Sequence, residues 1–430
     1  MNAGGDFLNL RRNVAFAVLA FAINIALVFT GYRIVIAQRG MEAVGLWSTL
    51  FAWVSLCRLG DAGMANAVLR FVALCDPATE QARIRRYFTT GLVVHCAVFL
   101  LLALVANALL ASFVDILAGT DMEDEARLLL PAMVSAFFLM NVAAVFFAGL
   151  QGLHLGYAAS LITVAGGLLQ IAAVFVLVPR FGLCGLALAQ AGQHCFSIAA
   201  SWIILRRTLR SPGAPPAFSC YALREMAGFS LKTQAANTAN GLFEPLSKIL
   251  LSHVAGLHVQ GLYELAYKTV SLLRNAAIAG LSASLPAMTR LLSCDVPAAR
   301  RLYASSVGTV TKVLFFVLAC VVVASPVISL LWTGRIEGDY LFFVTVLAAG
   351  FLANGWGAAA YNLGLANGRP GGNIAVSLGN LAFLLLAGGL AASVASYHAL
   401  VLAVGLCLAI GGAWIKRLNE RSLAVAISGG

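Results

Sequence analysis

Apolar segments long enough to cross a lipid bilayer follow one another along the whole chain. The first extends from Val14 to Tyr32, and about 20 apolar residues suffice for a helix to span the hydrocarbon layer. This segment is too long, and too closely followed by others, to be a cleaved signal peptide. The chain is 61% hydrophobic and 10% charged, with a mean hydropathy of +0.91, which is outside the range of water-soluble domains. The sequence therefore predicts an all-α, polytopic membrane protein.

About twelve spans of ~20 residues with short connections fit the 430 residues of the chain. The longest connection, RRTLRSPGAPPAFSC, is rich in Pro and Arg and indicates a flexible loop between two halves. We predict an N-terminal six-helix bundle over 1–205, a linker over 206–223 and a C-terminal six-helix bundle over 224–430. The predicted spans are 13–36, 43–73, 87–112, 127–150, 156–178, 183–205, 224–255, 258–286, 304–331, 339–364, 371–394 and 398–416.

Positive charge in the loops predicts the orientation, because Lys and Arg collect on the cytoplasmic side. The side that contains both termini and the linker carries Arg11, Arg12, Arg83, Arg85, Arg86, Arg206, Arg207, Arg210, Arg290, Arg300, Arg301, Arg369, Lys416, Arg417 and Arg421. The opposite side carries fewer cations and the acidic run DMEDEAR. Both termini are therefore expected in the cytoplasm. The net charge of +11 reflects this bias, so we expect the lipid bilayer as partner and no nucleic acid.

An internal repeat relates the two halves. A shift of 216 residues superposes GLWSTLFAWVSLCR, which begins at Gly45, on GLYELAYKTVSLLR, which begins at Gly261. The same shift pairs Asn24 with Asn240. Since each half has an even number of spans, both halves enter the membrane from the same side, which makes them parallel repeats about an axis along the membrane normal. Transporters built in this way place their site near midplane between the halves.

Four charged residues lie inside predicted spans seven and eight, which form a hairpin turning near Gly256. Lys248 and Glu264 lie eight residues before and after the turn, and Glu244 and Lys268 lie twelve before and after it. At ~1.5 Å rise per residue, the members of each pair lie at the same depth. This arrangement has two interpretations. It is either a ladder of charges that neutralise one another, or a ladder that opens to a wet cavity and rearranges during transport.

The first helix of this hairpin also contains Pro245 and a polar stripe. Proline removes a backbone hydrogen bond and favours a kink, which suits a mobile helix. Spacings of 3, 4 and 4 residues put four polar side chains on one helix face: Asn237, Asn240, Glu244 and Lys248. A lipid-facing stripe of this kind would be costly, so we expect this face to point inwards.

The repeat also aligns Arg58 with Arg274, and both lie near the middle of their predicted spans. Arg58 has Asp61 three residues on, so a local ion pair is expected there. Arg274 has no acidic residue three or four positions away. A guanidinium in this position favours an anion such as phosphate, whose geometry it matches with a fork of donors. The sequence therefore suggests a cationic cavity for an anionic substrate, with Arg58, Arg274, Lys268, Asn240 and Asn237 as substrate-binding candidates.

Signatures of other functional classes are missing from the sequence. Its nine cysteines include no CxxC pair, and most of them lie in apolar runs, as small buried side chains do. The six histidines show no metal-ligand spacing, and there is no nucleotide-binding loop or catalytic triad pattern. We therefore predict a protein that is not an enzyme and has no cofactor or metal site.

Three segments resemble the Wzx-type polysaccharide flippases of the multidrug/oligosaccharidyl-lipid/polysaccharide (MOP) exporter superfamily. GLWSTLFAWVSLCRLGDAGMANAVLR resembles their second span, and VPRFGLCGLALA resembles the turn between their fifth and sixth spans. The segment from Leu231 to Leu291, which contains EPLSKILLSHVAGLHVQGLYELAYKTVSLLR, resembles their seventh and eighth spans. The resemblance covers nearly the whole chain. It departs from the family at Arg58, where the pattern usually has an apolar residue.

This resemblance implies a MATE-like fold, with two six-helix bundles around a central cavity and transport by alternating access. It implies movement of an undecaprenyl-diphosphate-linked oligosaccharide to the periplasmic leaflet of the bacterial inner membrane, for O-antigen, capsule or exopolysaccharide synthesis. A H+ gradient, a Na+ gradient and the membrane potential are the candidate driving forces. A polysaccharide polymerase and chain-length proteins are candidate partners. The alternatives are a multidrug cation antiporter of the same fold and a membrane glycosyl polymerase or ligase.

Overall fold

The computed structural model describes residues 3–60, 63–118, 122–209, 218–228, 241–279, 288, 291, 294–366, 370–394 and 396–428. Within these ranges the backbone is helical almost throughout and contains no strand. The helices are α1 (Ala3–Ser55), α2 (Met64–Ala73), α3 (Gln81–Ala118), α4 (Glu123–Gly152), α5 (Gly156–Thr208), α6 (Phe243–Ala279), α7 (Val296–Thr333), α8 (Gly338–Ala366), α9 (Pro370–Ser393) and α10 (Tyr397–Ser428). Residues 220–228 are also helical. The all-α fold class predicted from the sequence is confirmed.

The chain forms two compact units that do not follow the midpoint of the sequence. One contains Met1–Gly40 and Trp53–Ala235, and the other contains Met41–Ala52 and Ala236–Gly430. A short piece of α1 therefore packs with the C-terminal half of the chain. The predicted boundaries at residues 205 and 224 remain a prediction.

Three long helices contain a sharp break at a glycine. Gly40 in α1 has φ 82° and ψ 178°, and Gly256 in α6 has φ 73° and ψ 176°. These angles lie in a region that is accessible almost only to glycine. The two glycines are 216 residues apart, so the same turn recurs at the repeat distance. Gly182 makes the third break, in α5, between predicted spans five and six.

Eight helices in the described part of the chain are long and apolar enough to cross a membrane. Two of them contain the breaks at Gly40 and Gly182 and so include more than one predicted span. Of predicted spans seven and eight, residues 243–255 and 258–279 lie in α6, which is not one of these eight helices. The eight carry large apolar side chains on their surfaces, such as Phe316 and Val323, which are 70% and 80% exposed. Surfaces of this kind are stable against lipid rather than water.

The prediction of a continuous second span over 43–73 is wrong. The α-helix ends at Ser55, a 3₁₀ helix covers Leu56–Gly60, and α2 begins only at Met64. Gly63, which precedes α2, has a left-handed backbone with φ 65°. This conformation is not helical, so α2 is a separate helix from α1. Arg58 consequently lies exposed in the 3₁₀ helix rather than in the middle of a spanning helix.

Candidate functional site

The turn at Gly256 folds the two segments of α6 so that all four predicted charges meet. The Nζ of Lys248 lies 2.6 Å from Oε1 of Glu244 and 2.7 Å from Oε2 of Glu264. The Nζ of Lys268 lies 3.5 Å from Oε1 of Glu244 and 3.9 Å from Oε1 of Glu264. Each cation therefore contacts both anions. We call these four residues the ion-pair quartet.

The quartet is buried on one side only. The side chains of Lys248 and Glu264 are 4% and 3% exposed, whereas those of Glu244 and Lys268 are 38% and 30% exposed. Lys248 is held between two carboxylates at short distance, which offsets the high cost of removing its charge from water. Lys268 has longer contacts, and its ammonium group has three N–H donors on a side chain that is 30% exposed. Of the two lysines, Lys268 is thus the one able to bind another group.

Aromatic and hydroxyl side chains support the buried lysine. The Nζ of Lys248 lies 5.4 Å from the ring centre of Tyr267, within the range of a cation–π contact. Tyr263 donates a hydrogen bond of 3.2 Å to Ser247, which itself donates to the backbone carbonyl of Glu244. Both tyrosines are buried. Tyr267 thus contacts the lysine itself, whereas the hydrogen bond from Tyr263 to Ser247 joins the two segments of α6 beside it.

Ser48 joins the quartet from the distant α1 segment. Its Oγ donates a 2.6 Å hydrogen bond to Oε2 of Glu264, and it accepts a 3.1 Å hydrogen bond from Nε2 of Gln260. All three side chains are buried. The sequence reasoning missed Ser48, although the repeat alignment itself places Ser48 opposite Glu264. The alignment of an uncharged hydroxyl residue with an acid inside a predicted span was the sequence signal that could have indicated this contact.

Arg274 lies further along α6 and is bound by amides instead of carboxylates. Its NH2 donates to Oδ1 of Asn354 at 2.7 Å and its NH1 donates to Oδ1 of Asn275 at 3.1 Å. The guanidinium also lies over the ring of Phe351, 5.3 Å from its centre. Its Nε is buried and has no hydrogen-bond partner among the described residues. Among the described residues, Arg274 is hydrogen-bonded by amide oxygens and pairs with no carboxylate.

The other predicted site residues are not brought to this place by the described structure. Asp61, Asn237 and Asn240 lie outside the described residues, so the predicted pairing of Arg58 with Asp61 and the full polar stripe remain predictions. Arg58 belongs to the unit that contains Trp53–Ala235, whereas Arg274 belongs to the other unit.

Pro245 does not interrupt α6. It lies in the first turn of this helix, which begins at Phe243. A missing backbone N–H costs little there, because the first N–H groups of a helix have no partner within the helix in any case.

A metal centre is not found in the part of the chain that the structure describes. There, no group of three or more His, Cys, Asp or Glu side chains converges. The acids of α6 are engaged by lysines. In the described residues the acids of α6 are paired with lysines and Arg274 has amide partners, so this charge distribution favours an anion over a cation.

Comparison with known proteins identifies a family and a fold. The model of a family described as "Polysaccharide biosynthesis protein" matches residues 10–292. No curated protein matches the chain. Among solved structures, a multidrug resistance MATE transporter of the MOP superfamily in its inward-facing conformation has a TM-score of 0.75 at 12% identity. The similarity covers 94% of this chain and 96% of that chain.

Two further structures extend this comparison. A MATE transporter of the same superfamily in its outward-facing conformation has a TM-score of 0.71 at 13% identity, with 97% of this chain and 96% of that chain covered. A MOP transporter from Pyrococcus furiosus Vc1, whose binding pocket is said to have reverse polarity, has a TM-score of 0.69 at 12% identity. This match covers 97% of this chain and 96% of that chain. Because the family match covers well over half of the chain, the protein belongs to the polysaccharide biosynthesis protein family, the Wzx-type flippases, and it has the fold of the MOP exporter superfamily.

Proposed function

We propose that this protein is a lipid-linked oligosaccharide flippase. It moves undecaprenyl-diphosphate-linked glycan repeat units from the cytoplasmic to the periplasmic leaflet by alternating access, for the synthesis of O-antigen, capsule or exopolysaccharide. The sugar passes through the protein while the prenyl chain stays in lipid. Membership of the polysaccharide biosynthesis family supports the substrate class. The existence of inward-facing and outward-facing relatives with this fold supports the mode of transport.

The hydrogen bonding of Arg274 is the single observation that carries this proposal. Of its five N–H donors, two are bound to amide oxygens of Asn275 and Asn354, and no further hydrogen bond is formed with the described residues. The guanidinium is held by Phe351 and can present its remaining donors to a diphosphate. Phosphate oxygens match this planar fork and supply the missing negative charge.

The ion-pair quartet contributes a second candidate contact for the diphosphate. Its two lysines and two glutamates neutralise one another, so the cationic character of α6 comes from Arg274. Lys268 is partly exposed and forms the longer ion pairs, and it is a second candidate contact for the diphosphate. In this proposal the buried pair of Lys248 and Glu264 keeps the hairpin together while Lys268 exchanges partners.

Export of multidrug cations is the second candidate function, because the structural neighbours include multidrug transporters. A cation-binding cavity needs a carboxylate without a fixed counter-charge. Both acids of α6 have lysine Nζ within 2.7 Å, which argues against this function. A glycosyl polymerase or ligase is a weaker candidate, since family and fold are both of the transporter type.

We place the protein in the bacterial inner membrane, with both termini and the linker in the cytoplasm, as the loop charges predict. The energy comes from a H+ or Na+ gradient or from the membrane potential, without a cofactor. A polysaccharide polymerase and chain-length proteins are the expected neighbours in the pathway.

A strain that lacks this gene tests the proposal. Undecaprenyl-linked glycans are assayed in spheroplasts and in inverted vesicles with a membrane-impermeant glycosidase or lectin. The proposal predicts complete repeat units confined to the cytoplasmic leaflet, and their return to the periplasmic leaflet on complementation. Complete units that reach the periplasmic leaflet in the deletion strain, but stay unpolymerised, would assign the protein to the polymerase or ligase class.

A further inference from the structure

Two pairs of arginines lie at the ends of helices in the unit that contains Trp53–Ala235. Arg85 and Arg86 lie near the start of α3, just before predicted span three. Arg206 and Arg207 lie in the last turn of α5, just after predicted span six. The loop charges predict the cytoplasmic side for both ends, so both pairs are expected at the same membrane surface.

The packing of α4 brings these two helix ends together. Gly149 of α4 has no side chain, and a Cβ there would lie 2.9 Å from the ring of Phe88 and 3.5 Å from Leu205. About one turn beyond these contacts, NH2 of Arg85 donates a hydrogen bond to the backbone carbonyl of Leu209. The start of α3 therefore lies beside the end of α5. We call the four residues of this surface the arginine cluster: Arg85, Arg86, Arg206 and Arg207.

The positive charges of the cluster have no acidic partner in the part of the chain that the structure describes. Arg85 is bound to the backbone carbonyl at the end of α5. Arg206 lies over the ring of Trp202, 5.2 Å from its centre. Arg86 and Arg207 are exposed. Two guanidinium groups are thus held in place, and the other two are accessible to a ligand.

Acids on neighbouring helices are engaged by other residues. Glu80, at the start of α3, lies 2.9 Å from Arg83. Glu225, in the helix at residues 220–228, accepts a 2.6 Å hydrogen bond from Tyr87 and lies 4.0 Å from Arg83. The cluster therefore favours an external anion. Guanidinium groups bind phosphate oxygens with a fork of donors, which makes phosphate the best match.

Exposed apolar side chains continue from the cluster along both helices. On α3, Val93 and Leu100 follow Arg86 at steps of seven residues, so the three share one helix face, and the two apolar residues are 47% and 51% exposed. On α5, Trp202 and Ile203 are 49% and 43% exposed. Tryptophan is enriched at the level of the lipid headgroups. Two apolar tracks below one cationic surface match a lipid with several acyl chains better than a lipid with one chain.

We propose that the arginine cluster is a binding site for an anionic phospholipid of the diphosphatidylglycerol class, which has two phosphates and four acyl chains. The two phosphates match the two pairs of arginines, one pair on each helix, and the acyl chains lie along the two apolar tracks. Basic pockets between transmembrane helices at the cytoplasmic surface bind lipids of this class. The site is independent of the proposed glycan transport, because none of its residues belongs to α6.

Lipid binding to the purified, delipidated full-length protein tests this site. Native mass spectrometry measures the affinity for diphosphatidylglycerol, with zwitterionic phosphatidylcholine as the reference lipid. The variant that combines Arg86→Gln with Arg207→Gln removes the two accessible charges. Each basic residue near an anionic lipid surface strengthens binding about fivefold, so this variant should bind diphosphatidylglycerol about thirtyfold more weakly. Equal affinities of the wild-type protein and this variant would overturn the proposal.

The matched control combines Arg300→Gln with Arg301→Gln. These two arginines are also exposed, lie near the start of α7 and are predicted on the same side of the membrane. The control therefore changes the net charge equally without touching the cluster, and its affinity for diphosphatidylglycerol should equal that of the wild-type protein. An equal loss of affinity in the control would show that net charge, and not the cluster, governs lipid binding.

A comparison of ligands identifies the occupant. Diphosphatidylglycerol should bind more tightly than phosphatidylglycerol at twice the concentration, which supplies the same number of phosphates on separate molecules. Tighter binding of undecaprenyl diphosphate would overturn the phospholipid assignment and make the cluster a docking place for the proposed substrate. Displacement of the lipid by an equal concentration of inorganic pyrophosphate would show that the acyl chains contribute nothing, which also contradicts the proposal.

Thermal unfolding gives an independent readout, because a ligand that binds only the folded protein raises the unfolding midpoint. Diphosphatidylglycerol should raise the midpoint of the wild-type protein and of the Arg300 and Arg301 control, but not that of the Arg86 and Arg207 variant. An equal rise in all three proteins would exclude the cluster as the site. A deletion strain without a glycan defect would refute the proposed function and would leave the predicted lipid binding unchanged.

Discussion

Ser48 Oγ donates a 2.6 Å hydrogen bond to Oε2 of Glu264, and these two residues occupy the same position in the two halves of the internal repeat. Identical residues at this position would place two serines or two carboxylates against each other. Two buried carboxylates would repel each other strongly. The present pair combines one donor with one acceptor, and Lys248 supplies the charge that Glu264 requires. The difference between the two residues thus makes this contact electrostatically satisfied.

Lys248 is expected to be essential for stability. Lys248→Met leaves Glu244 and Glu264 without their nearest cation, and breaking a buried ion pair on one side typically costs about 3–5 kcal/mol. The control is Arg127→Met, which removes an exposed ion pair with Glu123 at 2.9 Å. This substitution should lower the free energy of unfolding by less than about 1 kcal/mol. Thermal unfolding of the detergent-solubilised protein measures both. Equal midpoints for the two variants would show that the quartet does not stabilise the fold.

Charge inversion of the quartet distinguishes a network from two separate pairs. Exchanging only Lys248 and Glu264 places a new glutamate beside Glu244 and a new lysine beside Lys268, so we expect incomplete rescue of stability and export. Inverting all four residues keeps every contact between opposite charges, and Ser48 can accept a hydrogen bond as well as donate one. The fourfold variant should therefore unfold at a higher temperature than the double variant. If the double exchange alone restores the protein fully, the pairs act independently.

Neutralisation of Arg274 should abolish export without unfolding the protein. Asn354→Asp places a carboxylate about where the amide oxygen now lies, 2.7 Å from NH2 of Arg274. This substitution keeps the shape and compensates the cation, so the diphosphate loses its binding partner. It also removes the hydrogen bond from Nδ2 to the carbonyl of Leu408, a loss that Asn354→Ala shares. Arg274→Ala should have the same effect, and Arg274→Lys should retain part of the activity because it keeps the charge but lacks the planar fork.

Glycan export is measured in the deletion strain complemented with each variant, and the abundance of each variant in the membrane serves as the check on folding. Asn354→Ala is the matched control, because it removes one amide contact and leaves the positive charge in place. Normal export by Asn354→Asp would exclude Arg274 as the diphosphate contact.

The two turn glycines should not tolerate a side chain. Gly40→Ala and Gly256→Ala are each expected to destabilise the protein by about 1–3 kcal/mol, because alanine is strained at their backbone angles. Neither position has a heavy atom within 4 Å of an added Cβ, so the cost comes from the backbone alone. Gly192→Ala, in a helical stretch with equally open space, should be neutral or slightly stabilising. Unfolding midpoints that do not separate these variants would contradict the proposed turns.

The meeting of the four charges could be predicted from the sequence because it depends on geometry within one hairpin. A fixed rise per residue and one turn at Gly256 are sufficient to place Lys248 opposite Glu264. The contribution of Ser48 could not be predicted in the same way, since it depends on packing between helices far apart in the chain. The repeat aligned Ser48 with Glu264 but did not indicate that the two halves touch there.

The position of Arg58 was predicted wrongly for a related reason. The span over 43–73 was predicted from its overall hydropathy in spite of Arg58 and Asp61. Hydropathy alone does not register a left-handed backbone at Gly63. The hydrogen bond between Arg274 and Asn354 could not be predicted from the sequence either, because the two residues are 80 positions apart. What the sequence could supply was the absence of a nearby acid, and from it the expectation of an anionic ligand.

Reconstitution tests the central claim, transbilayer movement of a lipid-linked glycan, most directly. Undecaprenyl-linked glycan extracted from the deletion strain is incorporated into liposomes with and without the purified protein. The fraction of glycan accessible to an impermeant glycosidase is then followed after an ion gradient or membrane potential is imposed. The account predicts that the protected fraction becomes accessible only with the protein, and that Asn354→Asp abolishes this movement while Asn354→Ala does not. Identical accessibility in protein-free liposomes and in proteoliposomes under every imposed gradient would contradict the assignment as a flippase.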